Sequence, residues 1–255
     1  MTTPEPDAFA GEADGAGLLD EAGALELLAR GELEVLGRMV DASNATLYCQ
    51  VSLDGVTAAC VHKPVAGERP LWDFPDGTLA YREVATFALS SAAGWDVVPP
   101  TVLREGPWGP GMCQLWIDVD ESVDLGRFVR TDDDRLRRIA VFDAVVNNAD
   151  RKGGHLLPTP GGHVFGIDHG LCFAQENKLR TLLWGWAGRP LPEDAVELLA
   201  RTTTDWARGL GPRLAQLLSP AEAEAARRRA VRLLRNGVHP EPRDDGWPAV
   251  PWPPF

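Results

Sequence analysis

Lysine is scarce in this chain. Lys63, Lys152 and Lys178 are the only three, and arginine supplies the rest of the positive charge, so each lysine invites the question of what it does. Basic residues as a class are also outnumbered, 25 against 37 acids, for a net charge of -12. That excludes the broad positive field on which generic binding to nucleic acid or to an anionic membrane depends. No long apolar run occurs, which argues against a membrane-spanning helix. The first residues, Met1 to Ala10, lack the basic and apolar regions of a secretory signal. The four cysteines, Cys49, Cys60, Cys113 and Cys172, form no C-x-x-C pair. A zinc ribbon or a disulfide framework is therefore not expected, and a reducing cytoplasm is the default location. What is present is an ordinary globular composition, 44% apolar and 24% charged, with enough chain for one large domain or two small lobes.

Patterning divides the chain. Residues 1–17, rich in Gly, Ala, Asp and Glu, read as a disordered leader. Asp20 can cap a helix to about Arg30, which Gly31 stops. Strand-like runs follow at Leu33–Val35, Thr46–Leu53 and Val56–Lys63, with Asp54-Gly55 as a hairpin turn. Pro64–Gly77 reads as a loop, Thr78–Ser91 as a helix, and Thr101–Arg104 with Met112–Ile117 as a second hairpin. Beyond that point helices dominate. Asp132–Asn148 carries an apolar stripe with Thr131 as its cap, and the short hairpin Leu156–Ile167 follows. Helices are expected over about Glu193–Arg201, Asp205–Leu218 and Pro220–Asn236, the last opened by the capping box Ser219-x-x-Glu222. The expectation is an α+β fold of two lobes: a strand-rich one over 18–117, a mainly helical one over 118–237, and a Pro- and Trp-rich tail over 238–255.

Two features could carry chemistry. Asp150 sits in the polar cluster Asn147–His155 at the end of a long helix, and Asp168 follows eighteen residues later, across the short hairpin. The hairpin returns the chain, so both carboxylates can lie at one end of it, an arrangement suited to a divalent cation and a base in phosphoryl transfer. Taken alone, Asp150 reads equally as a turn residue. Lys63 is the second feature. Alternation puts it on the face of Ala59 and Val61, which looks buried, and a buried ammonium needs an anionic partner. Glu83 shares a helix stripe with Leu79 and Phe87 and could be that partner; the alternative is that both side chains reach solvent. The Arg227-Arg228-Arg229 run reads as a solvated helix face.

Together these positions resemble the protein-kinase-like fold, and specifically the small bacterial phosphatidylinositol 3- and 4-kinase-like family. Asp150-Arg151 is similar to the start of its Asp-Arg-x-x-x-Asn loop, with His155 where the pattern has Asn, and Asp168-His169-Gly170 is similar to its Asp-Phe-Gly. The resemblance implies ATP as cosubstrate and Mg²⁺, or Mn²⁺, as metal. It implies that Lys63 holds phosphates, that Glu83 orients Lys63, and that Asp150 is the catalytic base or the acid that positions the substrate; Lys152 beside it reads equally as neutralising the transferring phosphate or facing solvent. Asp168 and His155 would hold metal, Leu115 and Ile117 would line an adenine pocket, and Ser43 and Asn44 would lie over the phosphates. The acceptor would be a hydroxyl on a lipid headgroup, a small polyol or a protein. Two rivals stand beside this reading. One is a nucleotide-binding pseudokinase with a regulatory role, engaging a protein partner through its tail or its helical lobe. The other is a metal-dependent hydrolase built on Asp150, His155, His163, Asp168 and His169.

Overall fold

A computed structural model describes residues 19–39, 44–244 and 246–255. The expected leader over 1–17 and the expected phosphate contact at Ser43 lie outside the described residues.

The N-terminal half is built on a five-stranded antiparallel sheet. After helix α1 (Glu21–Arg30) come β1 (Glu32–Arg38), β2 (Leu47–Leu53) and β3 (Val56–Pro64), then helix α2 (Leu79–Ala93), then β4 (Thr101–Gly106) and β5 (Gly109–Leu115). The spatial order is β1-β2-β3-β5-β4, so the second hairpin adds to the sheet through β5. Register assigns the faces, because residues directly opposite in an antiparallel pair point to the same side. Cys49 pairs with Cys60 and His62 with Cys113, and that face packs on Leu27 and Leu28 of α1. Lys63 pairs with Met112, and this opposite face packs on Ala80 and Val84 of α2. The sequence pattern placed Lys63 on a buried face with Ala59 and Val61. The fully buried face of β3 is instead that of Cys60, His62 and Pro64, and Lys63 lies on the half-buried one, where it meets Glu83 of α2.

The C-terminal half contains α3 (Leu125–Phe128), α4 (Asp134–Val146), the short hairpin β6 (Leu156–Pro158) and β7 (Val164–Gly166), then α5 (Glu193–Asp205), α6 (Gly211–Leu214) and α7 (Pro220–Asn236). The α+β expectation, strands first and helices after, holds. Asp133 rather than Thr131 caps α4, its carboxylate accepting from Arg135 N, because the helix starts two residues later than its polar flank suggests. At α7 the expected box is present, Ser219 and Glu222 each accepting from the other's backbone N–H.

Nearly all of α2 is buried. Ala80 and Val84 meet the sheet, while Ala85, Phe87, Ala88 and Leu89 belong to the main core with Phe142, Trp95, Phe173 and Leu199. Arg82, 1% exposed, donates to Cys172 O at 2.7 Å and to Glu222 Oε1 of α7 at 2.5 Å. The helix thus joins the two halves. The Arg run is less solvated than its charge suggests: Arg229 is buried and donates to Val145 O and Ala174 O. Burial lowers its pKa to about 10.

The tail over 238–255 is irregular but docked. Thr181 N and Trp184 Nε1 donate to Ala249 O, Gly153 N donates to Pro254 O, and Trp247 lies edge-on to Trp72 at 6.2 Å between ring centroids. Among the described residues, no helix is long and apolar enough to cross a membrane.

Candidate functional site

Lys63 Nζ lies 2.7 Å from Glu83 Oε1 and 2.8 Å from Asp168 Oδ1. Three residues from three elements, the end of β3, the second turn of α2 and the loop after β7, therefore meet at one ammonium. Both carboxylates hold the Lys63 pKa above the ordinary lysine value although burial works against its charge. Asp168 is held below the usual carboxylate range, first by Lys63, against the cost of burial. Glu83, 2% exposed, also reaches the backbone beside Asp168, its Oε2 accepting from His169 N at 2.9 Å. One carboxylate thus orients the lysine and fixes the residue that follows Asp168.

Asp168 adopts φ +59°, a left-handed conformation unusual for a residue with a side chain. Such geometry costs about 1 kcal/mol and persists where the surroundings impose it. Arg151 imposes it from below. Its guanidinium is fully buried and grips Asp143 of α4 with two bonds of 2.9 Å, Nε to Oδ2 and Nη2 to Oδ1. It also donates to Ile167 O at 2.9 Å and to His169 Nε2 at 2.6 Å. Because arginine only donates, His169 carries its proton on Nδ1. Burial and the neighbouring guanidinium hold its pKa well below the ordinary histidine value, so it stays neutral. The Asp143 network continues through Asn148, which donates to Asp143 Oδ1 at 3.0 Å and accepts from Asp150 N at 2.9 Å. Asn147 takes the left-handed position that ends α4 and donates to Ala174 O and Glu176 O.

Asp150 is partly buried with Oδ2 3.1 Å from Lys152 Nζ, so these two predicted residues are neighbours. His155 Nε2 lies 3.3 Å from Asp168 Oδ2, while Nδ1 faces Lys152 N at 3.5 Å. The tautomer that suits both contacts has the proton on Nε2, donated to Asp168, and burial keeps the ring neutral by lowering its pKa. The structure thus brings together Lys63, Glu83, Asp168 and His155, with Asp150 and Lys152 on the same loop as His155.

The remaining candidates lie further out. Leu115 ends β5, half-buried, with its N–H on Pro100 O, and Ile117 lies just beyond where the chain leaves the sheet. Asn44 Oδ1 accepts from Arg69 N at 2.9 Å, tying its loop to the segment that leads to α2. Of the histidines in the hydrolase reading, His163 stands apart, against Asp96 and Phe165. Among the described residues, no three His, Cys, Asp or Glu side chains gather as a metal cluster.

Arg151, Asp143 and Arg82 carry the site's framework; sequence reasoning met Arg151 only as part of the Asp150-Arg151 motif and passed over the other two. A signal existed for Asp143: it falls one turn from Ile139 on the apolar stripe of α4, where an acid needs a buried partner. For Arg82 there was none beyond its place beside Glu83.

No protein-family model matches the chain. Over 264 aligned residues it is 44% identical to Protein Rv2133c of Mycobacterium tuberculosis (strain ATCC 25618 / H37Rv), with 90% of this chain and 94% of that protein covered. The chain belongs to the Rv2133c family. Among solved structures, the crystal structure of CtkA, a proinflammatory kinase of Helicobacter pylori, matches this Rv2133c-family chain with a TM-score of 0.47 and 9% identity, over 83% of this chain and 94% of that one.

Proposed function

We propose that the protein is an ATP-dependent phosphotransferase of atypical kinase fold that delivers the γ-phosphoryl group to a hydroxyl. The observation that carries this reading is the ammonium of Lys63 held between Glu83 at 2.7 Å and Asp168 at 2.8 Å across the two halves. A half-exposed carboxylate in a left-handed backbone position that the framework holds in place, with the strand ammonium pinned beside it, suits a polyphosphate with its counter-cation. The resemblance to phosphatidylinositol 3- and 4-kinase-like proteins agrees with this and rests on the residues themselves. Four unpaired buried cysteines agree with a reducing compartment, and we place the protein in the cytoplasm.

In this reading Lys63 neutralises phosphate oxygens, and Glu83 keeps its ammonium aimed at them. Asp150 orients the acceptor hydroxyl and takes its proton as the bond from the acceptor oxygen to the γ-phosphorus forms. The bond from that phosphorus to the β-phosphate oxygen breaks, and its electron pair leaves with ADP. Lys152, paired with Asp150, offsets charge on the group in transit. Leu115 and Ile117 line the adenine side, and Asn44 closes over the phosphates. The donor set fits a hard cation: Mg²⁺ asks for one or two carboxylates and fills its sphere with phosphate oxygens and water, and Asp168 is 46% exposed. Bound at Asp168, Mg²⁺ or Mn²⁺ would supply positive charge to the transferring phosphate oxygens, and His155 would serve as second donor only with its proton moved from Nε2 to Nδ1.

Single-turnover ATP consumption tests the reading. Asp168→Ala should slow it by about 100-fold or more, as loss of a charge-stabilising group does. Equal rates in the two proteins would refute metal-dependent transfer. One observation favours a second reading, nucleotide binding without turnover: His155 turns an N–H, not a lone pair, toward Asp168. An ATP-induced thermal shift with Mg²⁺ or Mn²⁺, and no ATP consumed with any acceptor, would establish it.

A further inference from the structure

The segment over 246–255 runs along the loop that carries Asp150. Its contacts are of a kind that side-chain chance does not make. Pro254 O accepts from Gly153 N at 2.9 Å, and the Phe255 ring lies against Gly153 so closely that a Cβ there would collide with it. Gly153 stands three residues after Asp150 and next to Lys152. Ala249 O accepts from Thr181 N at 3.1 Å and from Trp184 Nε1 at 2.8 Å. Thr181 is itself paired with the catalytic loop: Arg151 N donates to Arg180 O, and Leu182 N donates to Arg151 O. Three chain segments therefore lie side by side, the Asp150 loop, the stretch 180–182 and the tail.

That arrangement bears on what can bring a hydroxyl to Asp150. A serine or threonine of a protein reaches a recessed carboxylate only on an extended segment. A free backbone edge beside the carboxylate would order such a segment by pairing its N–H and C=O groups. The donors that flank this loop, Gly153 N and Thr181 N, are already taken by the chain's own tail. Four prolines within the segment make it stiff and lower the entropy of keeping it there, and Pro251 is buried. The segment holds no Ser, Thr or Tyr, so it offers no hydroxyl of its own.

We infer that residues 246–255 form a fixed wall of the acceptor site and confine the phosphate acceptor to a small polyol hydroxyl, excluding extended polypeptide. This rests on the phosphotransferase reading above. The shared chemistry is a compact polyol, free in solution or presented as a lipid headgroup.

The test follows labelled phosphate from ATP, using the full chain and a variant lacking residues 246–255. The acceptors are glycerol, free myo-inositol, phosphatidylinositol vesicles and a serine-rich unstructured polypeptide. The full chain should label at least one polyol probe and leave the polypeptide at background. Free myo-inositol against vesicles tells the soluble source from the headgroup. Removing the segment should raise polypeptide labelling about tenfold, a gain of about 1.4 kcal/mol in access. Phe255→Ala, a half-exposed ring, should give a smaller gain in the same direction and stands in if the shortened chain does not fold. The wall is overturned by polypeptide labelling in the full chain at the polyol rate, by a uniform rise for every acceptor on removal, or by no labelling of any polyol. An ATP-induced thermal shift recorded on the same samples separates the failures. A shift with the wrong acceptor pattern sinks the wall alone, and no shift sinks the nucleotide site with it.

Discussion

Replacing Arg151 by methionine isolates the framework under the site. The side chain is fully buried, as is Asp143, and it makes bonds to Asp143, Ile167 O and His169 Nε2. Arg151→Met keeps most of the volume and removes every one of those donors. It leaves the Asp143 carboxylate buried with only the Asn148 amide beside it. Breaking a buried ion pair from one side costs about 3–5 kcal/mol, chiefly through the charge left behind. For a chain of this size that is a fall in Tm of about 6–20 °C, at roughly 2–4 °C per kcal/mol. Urea denaturation followed by tryptophan fluorescence measures it. The double variant Arg151→Met/Asp143→Leu removes the stranded charge and should recover more than half of the loss, since an apolar pair of similar volume is often as stable as the ion pair. A single-variant cost under about 1 kcal/mol, or a double variant as unstable as the sum of the two singles, would refute the reasoning.

Glu83→Gln removes one of the two anions at Lys63 while retaining an acceptor for His169 N; ATP affinity, by titration calorimetry, should fall about 10- to 100-fold, as expected for a charge-assisted bond of about 1.5–3 kcal/mol. Gly111→Ala should destabilise the protein by about 1–3 kcal/mol in urea and weaken ATP binding, because the added methyl would press on the backbone of Lys63 and Pro64. His239 is buried, and burial, with Arg137 and Arg189 nearby, lowers its pKa from 6.5 to about 4. The unfolded chain then takes up a proton that the folded one refuses, so stability is full above pH 6.5 and declines as pH falls toward 4, by about 3 kcal/mol in all. His239→Gln should flatten that part of the profile; a wild-type profile that matches the variant's between pH 4 and 6.5 would count against the assignment.

Much of this architecture was legible in the chain. The turn signal Asp54-Gly55, the β-branched runs around it and the capping box at Ser219 are local, and local signals survive into the structure. The pairing of Lys63 with Glu83 was legible for a different reason: each breaks its element's apolar pattern, and two such breaks explain one another. Face assignment on β3 was not legible. Both faces of that strand carry alanine and valine, so alternation alone does not say which side meets α1 and which meets α2. Arg151, read from sequence as part of a motif, proved to be the bolt of the lower half, and its partner Asp143 hides inside a helix whose other inward residues are apolar. The inward turn of Arg229 was hidden because a run of three like charges reads as solvated until the neighbours on α4 are known. The docking of the tail depends on carbonyls of Ala249 and Pro254, atoms every residue possesses, and no composition signal distinguishes them.

Helix α2 is common property of the sheet and the helical bundle, and this governs how the molecule comes apart. Phe87 and Leu89 fill the same interior as Phe142 and Trp95, while Ala80 and Val84 of the same rod sit under Met112. Severing the chain at residue 117 would leave the first piece with a bare apolar flank and the second with a hollow where that flank belonged. The pair should melt as one cooperative unit, and neither portion should be recoverable as a folded protein when expressed by itself.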